Sequence, residues 1–263
     1  MIKLIATDMD GTLLDENGKL PADFFEVLEE LKKKNVKFVV ASGRPYFTLY
    51  ENFKPVSDEL YFICDNGSCV VEESKEFQIS AIDKEYVKEI VEVCSSIEDI
   101  ELVLCGTKGA YLKKCSKEFT DEMYKYYIKR TVVEDFSEID DEIFKIAVCD
   151  LKDSKTNSYE VINKYFEDKL GVVVSGKRWV DISNKGVNKG TALAKIQQNE
   201  NISYEETMVF GDFYNDVEML KKAYYSFVME NANDDMKTYG NFIAESNKDK
   251  GVLKAINKFV LKD

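Results

Sequence analysis

Asp8 and Asp10, two carboxylates two residues apart in Asp8-Met9-Asp10-Gly11-Thr12, stand at the end of an apolar run over residues 2–6. Ile2, Leu4, Ile5 and Ala6 read as a buried strand, and acids at its exit are costly to bury without partners. In extended backbone, residues two apart project to the same side. Both carboxylates are therefore expected to face one point, with Gly11 letting the chain turn away. Like charges held this close call for a cation, and a hard divalent ion, Mg²⁺ above all, suits them. A second group, Gly211-Asp212-Phe213-Tyr214-Asn215-Asp216, brings three polar side chains just before a helix. A helix cap accounts for one of the three; Asp212, supported by Asp216, reads as metal-binding. Lys189 opens another helix in Val187-Asn188-Lys189-Gly190-Thr191 and could reach phosphate as a point charge, near amides that also favour anions. The glycine spacing there does not fit a Walker A loop. The first motif is no EF-hand either, since glycine comes too early and Leu13 stands where the next ligand would be.

The elements that must position these groups alternate between strand and helix at both ends of the chain. Residues 21–35 carry Phe24, Val27, Leu28 and Leu31 at helical spacing, and 36–41 form a buried-type strand that ends in Ser42-Gly43-Arg44-Pro45. A helix over 46–53 and a strand over 60–64 follow, the latter ending in Asp65-Asn66-Gly67. Late in the chain, 207–210 is a strand running into Gly211-Asp212, then come a helix through Met219 and Leu220 and a strand over 226–229. Such alternation predicts a parallel sheet with helices on both faces, and open parallel sheets place their ligand crevice at the carboxyl ends of the strands. The middle reads differently: helices over 84–97, 119–130 and 157–170, strands over 101–105, 110–113, 144–149, 172–174 and 179–182, with two related halves. That order predicts a small antiparallel sheet covered by helices. The expected fold is α/β, a doubly wound parallel-sheet (Rossmann-like) core from residues 1–82 and 186–263, with an inserted α+β cap domain at 83–185.

Composition narrows the chemistry. With 263 residues, 44% hydrophobic content and a net charge of −13, the chain can build a full core and is a poor electrostatic match for nucleic acid or anionic membrane. No apolar stretch approaches transmembrane length, and a strand at the very start leaves no room for a signal peptide. A soluble, cytoplasmic protein is expected, with no protein partner implied. There is no histidine, which removes Ser-His-Asp triads, Cys-His pairs and His-ligated zinc. Cys64, Cys69, Cys94, Cys105, Cys115 and Cys149 form no C-x-x-C, and none precedes an arginine by six positions as a cysteine-phosphatase loop requires. Catalysis must come from carboxylates, hydroxyls, lysine and metal.

Asp8-x-Asp10-Gly11-Thr12, Ser42-Gly43-Arg44-Pro45, Lys189-Gly190 and Gly211-Asp212-x-x-Asn215-Asp216 resemble, in order and approximate spacing, the four motifs of haloacid dehalogenase-like phosphatases. Asp65-Asn66-Gly67 and Asp249-Lys250-Gly251-Val252 look like the Cof-type branch, whose large cap lies where this chain has its insertion. The resemblance implies Asp8 as nucleophile and Asp10 as the acid and base. It implies Mg²⁺ held by Asp8, the Asp10 main-chain carbonyl and Asp212, with Asp216 in support. Ser42 and Lys189 would hold the phosphoryl group, with the Gly43 amide and Asn215 as lesser candidates. Arg44, Lys177, Arg178 and Trp179 are candidate substrate contacts. The implied activity is a Mg²⁺-dependent phosphatase of small phosphorylated metabolites, sugar phosphates or phosphorylated cofactors. A phosphomutase with the same intermediate, a phosphate-accepting signalling module and a non-catalytic metabolite binder are the alternatives.

Overall fold

The computed structural model describes residues 1–72 and 76–262, and the chain divides into two compact units. The first comprises Met1–Gly43, Pro55–Glu76 and Asn188–Asp263; the second comprises Arg44–Lys54 and Phe77–Val187. These bounds differ from the expected 83–185 insertion mainly in the segment Arg44–Lys54, which groups with the second unit although it follows the Ser42-Gly43 strand end directly.

In the first unit, strands β1 (Leu4–Asp8), β2 (Lys37–Ala41) and β3 (Tyr61–Cys64) are parallel, as are β12 (Thr207–Gly211), β13 (Tyr225–Met229) and β14 (Phe242–Ala244). The order across the sheet is β14-β13-β12-β1-β2-β3, with β4 (Cys69–Glu72) pairing antiparallel to β3. β1 and β12 pair in parallel from Leu4↔Thr207 to Thr7↔Phe210. Helices cover both faces because successive strand residues point to opposite sides. Val39 and Ala41 of β2 pack with Ala192, Leu193 and Ile196 of helix α6 (Lys189–Glu200). Phe38, the residue before Val39 and so on the opposite face, meets Phe24 of helix α1 (Phe24–Lys33), with ring centroids 5.5 Å apart. Helix α1 buries Phe24, Val27, Leu28 and Leu31, the stripe that its spacing predicts. Three short strands of this sheet went unpredicted: β4, β5 (Glu76–Ile79) and β14, whose three or four residues give too short a pattern to read.

The second unit carries a sheet of order β10-β11-β9-β6-β7-β8, from β6 (Ile100–Gly106), β7 (Gly109–Lys113), β8 (Arg130–Val133), β9 (Ile143–Asp150), β10 (Leu170–Gly176) and β11 (Trp179–Asn184). Helices α3 (Lys84–Cys94) and α5 (Glu160–Phe166) pack Ile90, Cys94, Ile162 and Phe166 onto Leu102, Leu104, Ile146, Val148, Val180 and Ile182. Two expectations are corrected here. The helix expected over 119–130 ends at Met123 (α4, Lys117–Met123), and Arg130–Val133 is instead the edge strand β8. Because β8 runs parallel to β7, the sheet is mixed rather than wholly antiparallel.

Candidate active site

β1 and β12 are neighbours, and from them the chain order runs outward in opposite directions, to β2 and β3 on one side and to β13 and β14 on the other. Such a switch point is where open α/β sheets form their crevice. β1 delivers Asp8 there, and the residue after β12 is Asp212. The chain leaves β1 in a wide turn over Met9–Leu13, in which Gly11 has φ +83°. A side chain at Gly11 would collide with the Asp212 carboxylate, so glycine is required both for its conformation and for the space it leaves. The next residue, Thr12, donates its hydroxyl to Asp212 Oδ1 at 2.9 Å and fixes that carboxylate against the turn.

Lys189 occupies the first position of α6, set by a reciprocal cap in which Asn188 accepts from the Thr191 amide and the Thr191 hydroxyl accepts from the Asn188 amide. The start of α6 is pressed close to Gly67, where φ is +103° and an added side chain would meet the Asn188 carbonyl. Lys189 is fully buried and donates to Asp8 Oδ1 at 2.5 Å and to Asp216 Oδ1 at 2.6 Å. The other oxygen of Asp216 accepts the amides of Asp212 at 3.0 Å and Phe213 at 3.1 Å. Asp216 thus spends both oxygens on fixing the ammonium and the Asp212 loop.

Burial works against the charge on Lys189, but attraction to Asp216 and Asp8 outweighs it and holds the ammonium well above the ordinary lysine range. Burial pushes the Asp8 carboxyl up to about 8, with repulsion from Asp216 and Asp212 adding to it and the Lys189 ammonium opposing it. Burial likewise raises Asp212 to about 6, against the hydrogen bond from Thr12. Asp8, Asp212 and Asp216 each offer an oxygen within 4.8 Å of the others. When ionised, these three carboxylates against one ammonium leave two negative charges in excess. Asp8 Oδ1 keeps a second lone pair beside the one on Lys189, and Asp212 keeps its second oxygen beside the one on Thr12, and these remain to meet a cation. An oxygen-only donor set with that charge fits a hard divalent ion, and such an ion would draw both carboxyls back to their ionised forms.

The remaining core candidates join through Asn66. Ser42, buried at the end of β2, donates its amide to the Ile63 carbonyl at 2.8 Å and accepts the Asn66 amide on its own carbonyl at 3.0 Å. Asn66 lies in a left-handed turn with Asp65 and Gly67, conformations that Asn, Asp and Gly tolerate best. Its side chain sits in contact distance of Gly43 and accepts from Asn215 Nδ2 at 3.0 Å. Hydrogen bonds thus join Asp8, Lys189, Asp216 and the Asp212 loop in one group and Ser42, Asn66 and Asn215 in a second, and the chain step from Asn215 to Asp216 connects the two. Thr12 and Asn66 belong to these groups although only their motifs, not their roles, were legible. Asn231 reaches the turn beside them, donating to the Gly11 carbonyl at 2.8 Å, and no sequence signal marks it.

Asp10 stands beside the acidic group, close enough for its charge to help raise the Asp212 carboxyl. Its side chain is exposed, and its carboxylate lies outside the group that Asp8 forms with Asp212 and Asp216. Asp10 keeps extended dihedrals, φ −79° and ψ 116°, and the chain turns at Gly11. Arg44 belongs to the second unit, as do Lys177, Arg178 and Trp179. There Trp179 Nε1 donates to Glu122 at 3.3 Å, and Arg178 pairs with the same carboxylate at 3.6 Å. Both side chains are thus engaged within their own unit.

The sequence profile of haloacid dehalogenase-like hydrolases matches residues 5–256. The chain belongs to this family. It is 33% identical over 259 residues to the 5-amino-6-(5-phospho-D-ribitylamino)uracil phosphatase YbjI of Escherichia coli, an alignment covering 98% of this chain and 96% of the relative. A Bacillus subtilis protein of the same named activity, YcsE, is 26% identical, covering 99% of this chain and 96% of its own. Among solved structures, SMU.1108c of Streptococcus mutans superposes with a TM-score of 0.84 at 31% identity over the whole of both chains. TM0651 of Thermotoga maritima does so with a TM-score of 0.88 at 25% identity, over 100% of this chain and 99% of that one. Among the described residues, no helix is long and apolar enough to cross a membrane.

Proposed function

We propose that this family member is a Mg²⁺-dependent phosphatase that releases inorganic phosphate from small phosphorylated metabolites through a phosphorylated Asp8. The observation that carries this reading is the Asp8 carboxylate, buried at the mouth of β1 with one oxygen tied to Lys189 and the other left for attack. That oxygen bonds to phosphorus while the bond to the leaving oxygen breaks, and the exposed Asp10 gives the leaving oxygen its proton. Asp10 then takes a proton from water, the water oxygen bonds to phosphorus, and the bond to Asp8 breaks to free phosphate. Lys189 and Ser42 hold the transferring group, with the Gly43 amide and Asn215 beside them. Positioning and charge stabilisation of this kind carry most of phosphoryl-transfer catalysis. When bound by Asp8, the Asp10 main-chain carbonyl and Asp212, Mg²⁺ neutralises charge on the phosphoryl oxygens. Asp216 acts on the reaction through Lys189 and the Asp212 loop.

Selection of the organic leaving group is assigned to the inserted segment, expected at 83–185. The two relatives named for a ribityl phosphomonoester make phosphorylated polyols the first compounds to screen. The test is phosphate release from a panel of phosphometabolites with EDTA and then with restored Mg²⁺. Activity lost to EDTA and regained with Mg²⁺ is expected; full turnover by the metal-depleted enzyme contradicts the metal role. Return of the phosphoryl group to substrate without free phosphate would make the enzyme a mutase.

A further inference from the structure

The turn that follows Asp8 is held by two asparagines that lie outside the four motifs. Asn231, just beyond β13, donates Nδ2 to the Gly11 carbonyl at 2.8 Å. Its Oδ1 accepts the Asn247 amide at 3.1 Å. Asn247, shortly after β14, donates its own Nδ2 to the Leu14 carbonyl at 2.9 Å. The two side chains therefore clasp the backbone at Gly11 and at Leu14, on either side of Thr12. A carboxamide offers a donor and an acceptor at once, and Asn231 uses both, one on a carbonyl and one on an amide.

The clasp has a rigid base. The Ser246 carbonyl accepts the amides of Asp249 at 3.0 Å and Gly251 at 3.1 Å, and Lys250 between them is left-handed, with φ +58°. A side chain at Gly251 would run into the Glu245 carbonyl, so this turn closes only around glycine. Asp249-Lys250-Gly251-Val252, a motif that no step of the reaction uses, thus fixes the turn that presents Asn247 and leads into helix α8 (Gly251–Ile256). Asn231 itself is exposed, and hydrogen bonds at such positions contribute little to global stability. What they fix is direction: Thr12 orients the Asp212 carboxylate, and Gly11 passes against that same carboxylate with no room for a side chain.

Resting on the phosphatase reading above, we propose that Asn231 and Asn247 are positioning residues for phosphoryl transfer, holding the turn so that Thr12 keeps Asp212 directed at the cation and Asp10 stays aimed at the leaving oxygen. Both act through the Gly11–Leu14 backbone. Small misplacements at a reacting centre cost far more in rate than in stability.

The test uses the full chain, unmodified and as Asn231→Ala and Asn247→Ala. It measures kcat and KM for p-nitrophenyl phosphate at saturating Mg²⁺, the Mg²⁺ dissociation constant of the substrate-free protein by calorimetry, and the metal-free thermal midpoint. Asn231→Ala should lower kcat and weaken Mg²⁺ binding, each about 10-fold or more, while KM and the midpoint change little. Asn247→Ala keeps the backbone amide that Asn231 accepts, so smaller losses in the same direction are expected. A lowered midpoint with unchanged kcat and Mg²⁺ affinity would make the clasp structural only and overturn the proposal, as would unmodified values throughout. Should Asn231→Ala fail to fold, the same readings on Asn247→Ala decide. An unmodified enzyme that releases no phosphate from any compound overturns the phosphatase reading instead, and the calorimetric comparison still decides whether the clasp positions Asp212.

Discussion

Two buried lysines mark the division between the two compact units. Lys189 sits within 2.6 Å of two carboxylates, at the start of a capped helix, and Asp216 is fixed further by two backbone amides. Lys145 sits 3.8 Å from Asp181, and that pair opens toward solvent. The short distances make the first lysine part of a preorganised charge array, which is what stabilisation of a developing phosphoryl charge requires. The first lysine stands beside the carboxyl ends of a parallel sheet, the second within a mixed sheet.

The comparison breaks most sharply at the nucleophile. Asp8→Asn should lower kcat by about 10³-fold or more, while Lys145→Met leaves a measurable rate on p-nitrophenyl phosphate. Comparable collapse in both would erase the division. Next comes Lys189→Met, which leaves the Asp8 and Asp216 carboxylates buried without their shared cation. Losing one partner of a buried ionic group costs about 3–5 kcal/mol, so urea unfolding should show a large loss of stability, which Mg²⁺ partly restores. A variant of unchanged stability would mean that the array is not charged as described. Asp216→Asn should act through position, raising the Mg²⁺ concentration needed for half-maximal activity about 10-fold or more. An unchanged requirement would show that the Asp212 loop holds itself. The smallest effect lies at the other end of the sheet, where Tyr61 donates to Glu200 and accepts from Lys37 at 3.1 Å. Burial, reinforced by Glu200, raises its phenol from 10.0 to about 12. A raised folded value means that its contribution is complete below pH 10 and is lost as pH rises through about 12. The stability gap between the unmodified chain and Tyr61→Phe, about 1 kcal/mol, should narrow over that window; a constant gap contradicts the assignment.

The core was legible because its strands are short apolar runs that end in polar residues, a pattern local enough to read. Asp8 and Asp212 stand where those runs stop, whereas Lys189 was read from its place at the start of a helix. Asp10 keeps extended backbone, and its charge reaches Asp212. The stretch after Met123 was not legible. Phe119, Met123 and Tyr127 recur at helical spacing, yet Arg130–Val133 forms β8 by pairing with β7, a long-range preference invisible in its own composition. Lys145 was missed because a lysine inside an apolar strand reads as its solvated face. Only the burial of both faces of β9 reveals otherwise.

The central claim is that Asp8 is the atom-transfer site and Asp10 its acid and base. The direct measurement is intact and peptide mass analysis of Asp10→Asn after incubation with Mg²⁺ and p-nitrophenyl phosphate, quenched in acid. A good leaving group needs no proton, so the first step should proceed while hydrolysis slows. The result expected is one phosphoryl group, located on Asp8 and absent from the Asp8→Asn variant. A phosphoryl group on another residue, or substantial turnover by Asp8→Asn, would contradict the account.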